Sequence, residues 1–347
     1  MKQIYADILT PAQQLEGKVL DGGWVVRNRV ETGPGTTGGH FSSGYVVESR
    51  EGKRAFLKAL DYSKSLRSVD PARALQSLTE AFNFERDMLE MCKGRRLDRV
   101  VRSITSGKTE VDGIGGGVVQ YLIFELADGD VRKHLDISAN FDVAWVLRSL
   151  HQMATGLMQL HRIGIAHQDL KPSNVLIFDK TSKVSDLGSA AHSEFNLAED
   201  VPIPGDDSYA PPELLYKYLH TEWRVRRFGC DAYLLGSMAV FFFTRMSMTS
   251  LLTAEMHEQH KWYNWTGTYK EVLPYIRDAY VVALQNISGQ LPHKLSNEVT
   301  EVIRQLCDPD PELRGHPMMR TRGPLTLERY VTKFNVLATK AERGIFV

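Results

Sequence analysis

The first part of the chain alternates short runs of β-prone residues with glycine clusters. From Trp24 to Leu60 this pattern is typical of an antiparallel sheet, because glycine-containing turns separate strands of similar length. Residues 33–44 hold five glycines and are followed at once by the strand-like residues 45–48. Residues 118–126 form a further, mostly apolar strand pattern. The hydrophobic pattern therefore predicts a small β-rich part at the start of the chain.

Apolar residues at helical spacing dominate the rest. They predict one helix over 72–92, inside the β-rich part, and a clearer amphipathic helix over 142–162. Asp142 is the predicted N-cap of the second helix, because its carboxylate can accept from the first free N–H groups. We therefore predict an α+β fold: a small antiparallel β-sheet lobe with one helix, then a larger, mainly helical lobe.

The change of pattern near residue 127 sets the predicted boundaries. We expect an N-terminal leader over 1–23, a small lobe over 24–127 and a large lobe over 128–347. The two lobes together form one domain over 24–320, and a closing amphipathic helix covers 325–343.

Charge and cysteine content narrow the function classes. Lysine plus arginine and aspartate plus glutamate both number 42, so the net charge of zero argues against a dedicated nucleic-acid binder. The three cysteines show no metal-ligand or disulfide spacing and are expected to be buried thiols of a reducing compartment. Neither a secretion signal nor an apolar run long enough for a membrane span is present, so we expect a cytoplasmic protein without a membrane partner.

The segment 167–174, HQDLKPSN, brings together polar residues with distinct chemistry. Asp169 can accept a hydroxyl proton or orient a nucleophile, and Lys171 can neutralise a transferring phosphate. Asn174, five residues after Asp169, offers an oxygen ligand for a divalent ion. Asp186, in 185–188 (SDLG), supplies a second such ligand, and Mg²⁺ needs few protein oxygens because it keeps several waters.

A third element is Lys58, which stands between apolar residues on a predicted strand. The glycine-rich segment lies just upstream, and a helix with Glu80 and Glu85 lies just downstream. A lysine placed in this way can bridge nucleotide phosphates and a helix carboxylate.

Taken together, these motifs resemble the protein kinase superfamily, and the eukaryotic-like Ser/Thr protein kinases in particular, with a soluble bacterial-type member as the nearest kind. HQDLKPSN resembles the catalytic loop, DLG the metal-binding motif and Lys58 the third-strand lysine. Glu85 is the best match to the helix glutamate, because Leu89 follows at the usual offset.

Later motifs of the resemblance follow in the same order as in the family. Residues 124–127 (FELA) resemble the gatekeeper and hinge, 209–213 (YAPPE) the end of the activation segment, and 231–236 (DAYLLG) the start of the central helix. Arg314 resembles the late arginine that pairs with the activation-segment glutamate, here Glu213. The match covers about residues 24–320.

The resemblance implies an ATP-dependent protein-serine/threonine kinase that uses Mg²⁺, or Mn²⁺ in its place, and phosphorylates a protein substrate. It assigns catalysis to Asp169, Lys171, Lys58 and Glu85, and the metal to Asn174 and Asp186. ATP is expected in a cleft between the lobes. The nucleotide-binding residues that it implies are Gly39, Gly44, Val46, Lys58, Glu125, Ala127 and Leu176.

Four positions depart from the family pattern. Gln168 stands where an arginine that binds an activation-loop phosphate is usual, so we expect such phosphorylation not to be the main switch. Leu187 replaces a phenylalanine and keeps its apolar character. Phe56 stands where a small alanine covers the adenine and is expected to narrow the pocket. Asp206 falls where a threonine often hydrogen-bonds the catalytic aspartate and lysine.

The glycine-rich loop is irregular as well, because Phe41 replaces a middle glycine and residues 33–40 look inserted. Autophosphorylation is a further hypothesis from position alone, with candidate sites in the activation segment at Ser189, Ser193, Ser208 and Tyr209.

Two alternatives stay open. A small-molecule phosphotransferase shares HxDxxxxN but generally lacks Lys171, the PPE segment and Arg314. A pseudokinase would bind nucleotide without transfer, and Phe56 and Asp206 are its only support. The sequence does not indicate the oligomeric state.

Overall fold

The computed structural model describes residues 9–30, 42–112, 117–137, 141–195, 203–319, 323 and 325–346. The chain divides into two compact units. The first comprises residues 1–130 and 176–179, and the second comprises 131–175 and 180–347. An antiparallel sheet unit and a mainly helical unit confirm the predicted α+β class.

The first unit is built on a five-stranded antiparallel sheet with the order β1-β2-β3-β5-β4. The register places Lys58 of β3 opposite Gly44 of β2 and Leu122 of β5. Two helices follow β3, and the longer one extends the predicted helix at both ends. The elements are β1 (Val25–Val30), β2 (Ser42–Glu48), β3 (Arg54–Leu60), α1 (Ser63–Leu66), α2 (Pro71–Gly94), β4 (Ser103–Val111) and β5 (Gly117–Glu125).

Residues before the sheet belong to its core. Ala12, Leu15 and Leu20 are buried among apolar residues of the strands. The Tyr45 hydroxyl donates to the Ala12 carbonyl over 2.7 Å, and the Thr10 hydroxyl donates to an Asp61 carboxylate oxygen over 2.8 Å. Residues of the stretch expected as a leader thus pack against the first unit from Thr10 on. The predicted lobe boundaries stay a prediction.

Short strands also occur outside the five-stranded sheet. In the first unit, Gly129 and Asp130 pair antiparallel with Ile177 and Leu176, and in the second unit 165–166 pair antiparallel with 191–192. These strands are β6 (Gly129–Asp130), β7 (Ile165–Ala166), β8 (Val175–Phe178), β9 (Thr181–Val184) and β10 (Ala191–His192).

The helices of the second unit pack around α6, and almost all residues in the middle part of α6 are buried. Asp142 caps α4 as predicted: its Oδ1 accepts from the N–H groups of Ala144 at 2.9 Å and Trp145 at 3.1 Å. The helices are α3 (Val131–Ile137), α4 (Val143–Arg162), α5 (Pro212–Leu215), α6 (Trp223–Thr244), α7 (Met248–Glu255), α8 (Tyr269–Gln290), α9 (His293–Leu306) and α10 (Glu328–Glu342).

The last helix, α10, packs along α4 and is shorter than the predicted stretch 325–343. Arg148 of α4 joins the two helices, since its guanidinium donates to Glu342 at 2.8 and 2.9 Å and to Asn335 at 2.6 Å. All three cysteines are free and buried. Over the described ranges no single helix has the length and hydropathy of a membrane span; α6 and α7 meet that test only as a pair bent by 78°.

Candidate active site

Asp169 lies at the centre of a cluster of polar side chains in the second unit, in the loop that follows β7. Its Oδ2 accepts from the Asn174 amide at 2.9 Å and lies 3.1 Å from the Lys171 ammonium. Its Oδ1 accepts from the Asp206 backbone N–H at 3.1 Å. Three donors therefore fix both oxygens of a carboxylate that is only 10% exposed.

Burial raises the pKa of Asp169 above its ordinary value, Lys171 and His167 lower it, and the negative charge of Asp186 raises it further. A buried carboxylate surrounded by donors is suited to accept or orient a proton, because its geometry is fixed before a substrate arrives.

Asp231, near the middle of α6, anchors this loop. Its Oδ1 accepts the Gln168 N–H at 2.7 Å, and its Oδ2 accepts the His167 N–H at 2.8 Å and the His161 Nε2–H at 2.7 Å. The carboxylate is fully buried, so these charge-assisted bonds are well shielded from water. From the sequence, Asp231 was expected only at the start of a helix, and its role as an anchor was missed. A charged residue inside an apolar helix is the signal that could have found it.

His167 ties the loop to the segment that carries Asp186. Its Nδ1 accepts the Asp169 N–H at 3.2 Å, so the ring proton is assigned to Nε2, which donates to the Ser185 carbonyl at 2.8 Å. The Ser185 N–H in turn donates to the Asn174 carbonyl at 2.9 Å. These bonds fix the backbone that bears Asp186, which itself has a left-handed φ of 63°.

The chemistry of Asn174 and Asp186 fits a magnesium ion. Both available protons of the Asn174 amide face Asp169, one toward its carbonyl at 2.8 Å and one toward its side chain, which leaves the amide oxygen as a ligand. No group of three or more histidine, cysteine, aspartate or glutamate residues that could hold a metal occurs in the described ranges. Mg²⁺ does not require one, since an amide oxygen, a carboxylate, phosphate oxygens and water complete its shell.

Lys58 and Glu85 form the expected ion pair in the first unit. The Lys58 Nζ lies 2.9 and 3.0 Å from the two carboxylate oxygens of Glu85 on α2. The lysine side chain is 27% exposed and the glutamate 7%. The pair therefore holds a lysine whose side chain is still partly accessible, as contact with a phosphate would require.

Phe56, one of the departures, stands over Gly44 of the neighbouring strand. A Cβ on Gly44 would lie 2.9 Å from two ring carbons of Phe56. The Phe56 ring can therefore pack in this position because residue 44 is a glycine. Gly44 thus has a structural role in addition to its expected role in nucleotide binding. Val46, the cross-strand partner of Phe56, is buried.

The expected hinge follows β5. The Asp128 N–H donates to the Ile177 carbonyl at 2.8 Å, which holds the chain beside the strand that carries Leu176. The Ala127 N–H makes no hydrogen bond with any residue that the structure describes, whereas the Glu125 N–H donates to the Arg102 carbonyl. Gly39 lies outside the described residues.

Glu213, at the end of the YAPPE motif, forms the predicted pair with Arg314. The guanidinium donates to both carboxylate oxygens at 2.7 and 2.8 Å, and also to the carbonyls of Gly229 and Asp308. Both side chains are buried. Two parallel charge-assisted bonds fix the end of the segment 203–213 to the body of the second unit.

Gln168 makes contacts that its type alone did not indicate. Its amide oxygen accepts from Arg227 of α6 at 2.6 Å, and its amide nitrogen donates to the Ser189 carbonyl at 3.0 Å. The residue has a left-handed φ of 64° and is buried. Gln168 thus connects the loop of Asp169 with helix α6 and with the segment after Asp186. Its neutral amide contacts one cation, Arg227, and one backbone carbonyl, that of Ser189.

Comparison with known proteins identifies the family. The family model for the protein kinase domain matches residues 38–321. An Aurora kinase of Schizosaccharomyces pombe is 35% identical over 104 residues, 29% of each chain. An Aurora kinase of Debaryomyces hansenii is 27% identical over 197 residues, which are 56% of this chain and 41% of that protein.

A bacterial relative is similar over a comparable length. The probable serine/threonine-protein kinase pknA2 of Bifidobacterium longum is 26% identical over 208 residues, 59% of this chain and 24% of the relative. The chain thus spans between about a quarter and two fifths of these three relatives. Because this domain model matches residues 38–321, which are most of the chain, the chain belongs to the protein kinase family.

Proposed function

We propose that the chain is an ATP-dependent protein kinase that transfers the γ-phosphate of Mg·ATP to serine or threonine hydroxyls of a protein. The observation that carries the proposal is the environment of Asp169. Its carboxylate is held by Asn174 and the Asp206 backbone and has Lys171 at 3.1 Å. A base, a cation and a metal ligand within hydrogen-bond distance are the parts that phosphoryl transfer needs.

Each member of the cluster takes a distinct part of the reaction. Asp169 orients the acceptor hydroxyl and accepts its proton, and Lys171 stabilises the charge on the phosphoryl group in flight. Asn174 and Asp186 hold the metal ion, which supplies charge neutralisation at the phosphates; Mn²⁺ can take the place of Mg²⁺ because both accept oxygen ligands. Most of the rate enhancement then comes from positioning and electrostatics.

Residues of the first unit hold the nucleotide. Lys58, oriented by Glu85, contacts the α- and β-phosphates. The backbone from Glu125 to Ala127 contacts the adenine, and the Ala127 N–H, which has no partner among the described residues, supports this role. The remaining nucleotide contacts that we propose come from Gly39, Gly44, Val46 and Leu176.

Three observations favour serine or threonine of a protein as acceptor. Lys171 follows Asp169 at the spacing of Ser/Thr protein kinases, and one relative is named as a probable serine/threonine-protein kinase. The buried pair of Glu213 and Arg314 fixes the segment that small-molecule phosphotransferases generally lack.

We also propose that activity does not depend on phosphorylation of the activation segment. Gln168 stands at the position of a phosphate-binding arginine and instead connects Arg227 with the Ser189 carbonyl. This tether is complete without a phosphate. Autophosphorylation, where it occurs, is then expected at Ser193 or Ser208, which are exposed, rather than at the buried Tyr209.

The proposed place of action is the cytoplasm. The three cysteines are free and buried, in keeping with a reducing compartment, and the net charge of zero favours a protein over a nucleic-acid partner.

The experiment is γ-phosphate transfer from labelled Mg·ATP to the chain itself and to a generic basic protein, by the wild type and by Asp169→Asn. We expect label on phosphoserine or phosphothreonine with the wild type, and a loss of about 10³-fold or more in the variant. Bound ATP without transfer would favour a pseudokinase, and label only on added small alcohols or amines would favour a small-molecule phosphotransferase.

A further inference from the structure

The chain before β1 is joined to the sheet of the first unit along residues 10–24, called segment 10–24 below. Leu15 is fully buried in the sheet core. The Gly17 N–H donates to the Val26 carbonyl, and the Val26 N–H donates to the Lys18 carbonyl, both at 2.9 Å. Since β1 is an edge strand, these bonds extend the sheet at its open edge. Segment 10–24 is thus held by core packing and by backbone hydrogen bonds.

Segment 10–24 and the Lys58–Glu85 pair lie on opposite faces of β3. Three residues of β3 are buried in the core that contains Leu15: Ala55, Leu57 and Ala59. Successive side chains of a strand point to opposite faces, so Lys58 projects from the other face, where it meets Glu85 at 2.9 and 3.0 Å. The segment therefore acts on the ion pair only indirectly, and a connection between the two faces is found where β3 ends.

Asp61, the first residue after β3, binds the segment with one oxygen and a helix with the other. Its Oδ2 accepts from the Thr10 hydroxyl at 2.8 Å, and its Oδ1 accepts from the N–H of Ser63, the first residue of α1, at 2.9 Å. Thr10 is itself held in place, because its N–H donates to the Gln13 amide oxygen at 3.1 Å. One carboxylate thus joins segment 10–24 to the start of the helices that follow β3.

Tyr62, the next residue, extends this connection to α2. Its hydroxyl lies 3.4 Å from the hydroxyl of Thr79. Since the Thr79 hydroxyl donates to a carbonyl of its own helix, Tyr62 is assigned as the donor of this contact. Thr79 lies six positions before Glu85, which is about 9 Å along the helix axis. The helix that carries Glu85 therefore contacts the junction that Asp61 holds.

We propose that segment 10–24 positions α2, and with it Glu85, through the hydrogen bond between Thr10 and Asp61, so that both are positioning residues of the transfer reaction. The proposal rests on the proposed function, because that function assigns Lys58 to the phosphates. Glu85 orients Lys58 only while α2 lies against the sheet, and a hydrogen bond to a carboxylate favours that arrangement by about tenfold. Loss of the bond then reduces the fraction of molecules in which Lys58 is correctly oriented.

Thr10→Val and Thr10→Ser form the test, with transfer measured at saturating Mg·ATP and acceptor protein. Valine keeps the shape of threonine and removes the hydroxyl, whereas serine keeps the hydroxyl. We expect Thr10→Val to lower kcat about fivefold and to raise the amide hydrogen exchange of α2, while Thr10→Ser keeps the wild-type values. Both proteins are expected to remain folded, because the bond is one of several that hold the segment.

Two further variants separate positioning from a general loss of structure. Lys18→Met removes the contact of the same segment with the Glu110 carbonyl on β4 but leaves the bond to Asp61 intact, so it should keep the wild-type kcat. Glu85→Gln weakens the pair with Lys58, so adding Thr10→Val to it should lower kcat further by less than about twofold. A general loss of structure would instead multiply the two effects.

Transfer and the exchange of α2 both have to change in Thr10→Val. A wild-type kcat or wild-type exchange of α2 in this variant overturns the proposal, and so does an equal loss of kcat in Thr10→Ser or Lys18→Met. A loss that persists in full in the Glu85→Gln background overturns it too, because the effect then does not pass through Glu85. Absence of transfer by the wild type, with Mg·ATP bound, overturns the proposed function instead. The exchange of α2 in the two Thr10 variants then still decides whether the segment holds this helix.

Discussion

Two ion pairs in this chain join residues far apart in the sequence, and they differ in how much of each pair water can reach. In the first unit, Lys58 and Glu85 meet at 2.9 and 3.0 Å, and the lysine side chain is 27% exposed. In the second unit, Arg314 and Glu213 meet at 2.7 and 2.8 Å, and the arginine side chain has no exposed surface. Both pairs were predicted from motifs.

The difference in exposure distinguishes a pair that can contact a ligand from a pair that stabilises the fold. The guanidinium of Arg314 also donates to the Gly229 and Asp308 carbonyls, so four of its five N–H groups have partners inside the protein. The Lys58 side chain has a buried carboxylate partner and is 27% exposed, so it is held in place while part of its surface stays accessible. Loss of the buried pair should therefore cost stability above all, and loss of the accessible pair should cost transfer.

The largest effect on stability is expected for Arg314→Ala. It leaves the Glu213 carboxylate buried without its cation, which costs about 3–5 kcal/mol of the free energy of unfolding. Chemical denaturation measures the change. The matched control is Arg277→Ala, which breaks a solvent-accessible pair with Asp310 at 2.8 Å and should cost less than about 1 kcal/mol. Equal effects of the two variants would contradict the distinction between buried and accessible pairs.

A second effect tests whether the residues before the sheet stabilise the first unit. Leu15 is fully buried in the sheet core, so Leu15→Ala should lower the free energy of unfolding by about 2–4 kcal/mol. Leu9→Ala serves as the control, because Leu9 is 51% exposed and should change stability by less than about 0.5 kcal/mol. A neutral Leu15→Ala would mean that this stretch is a leader after all.

The contact between Gln168 and Arg227 joins a cation to a neutral side chain, and it is a third case beside the two ion pairs. Gln168→Arg should cost about 1–2 kcal/mol of stability and lower transfer, because it removes two side-chain hydrogen bonds and places a second guanidinium beside Arg227. Adding Arg227→Gln restores one donor and one acceptor and should recover part of the loss in a double-mutant cycle. Strictly additive losses would show that the two side chains do not interact.

The smallest effect concerns Phe56. Phe56→Ala removes a ring that packs over Gly44, and we expect ATP to bind about threefold more tightly, which corresponds to less than 1 kcal/mol. Titration calorimetry with Mg·ATP measures it, and Phe141→Ala, at an exposed phenylalanine of the second unit, is the control. Weaker ATP binding by Phe56→Ala would mean that the ring contributes to nucleotide binding instead of narrowing the pocket.

Features with local causes were predictable from the sequence. The N-cap of α4 depends on Asp142 and the two residues it caps, and the helix Pro71–Gly94 follows from apolar spacing. For these two features the residues that decide the outcome lie within a few positions of one another, so periodicity and capping suffice. Glu85 was assigned through the family resemblance, from its offset to Leu89.

Contacts between distant segments that no family motif covers were not predictable. Asp231 accepts from His167, 64 positions away, and Gln168 contacts Arg227, 59 positions away. The packing of Leu15 against the sheet has no periodic signal in the short stretch around it. The space for Phe56 comes from the absence of a side chain on another strand. Only the fold brings these groups together, so a single sequence without the structure gives no basis for pairing them.

The most direct test of the division between the two pairs is transfer by Lys58→Met with saturating Mg·ATP, measured together with its unfolding free energy. We expect a loss of transfer of about 100-fold or more, because the phosphates lose their cation. We also expect a smaller loss of stability than Arg314→Ala shows, because the Lys58 pair is partly hydrated. Near-wild-type transfer by a folded, nucleotide-saturated Lys58→Met would show that Lys58 does not act on the phosphates.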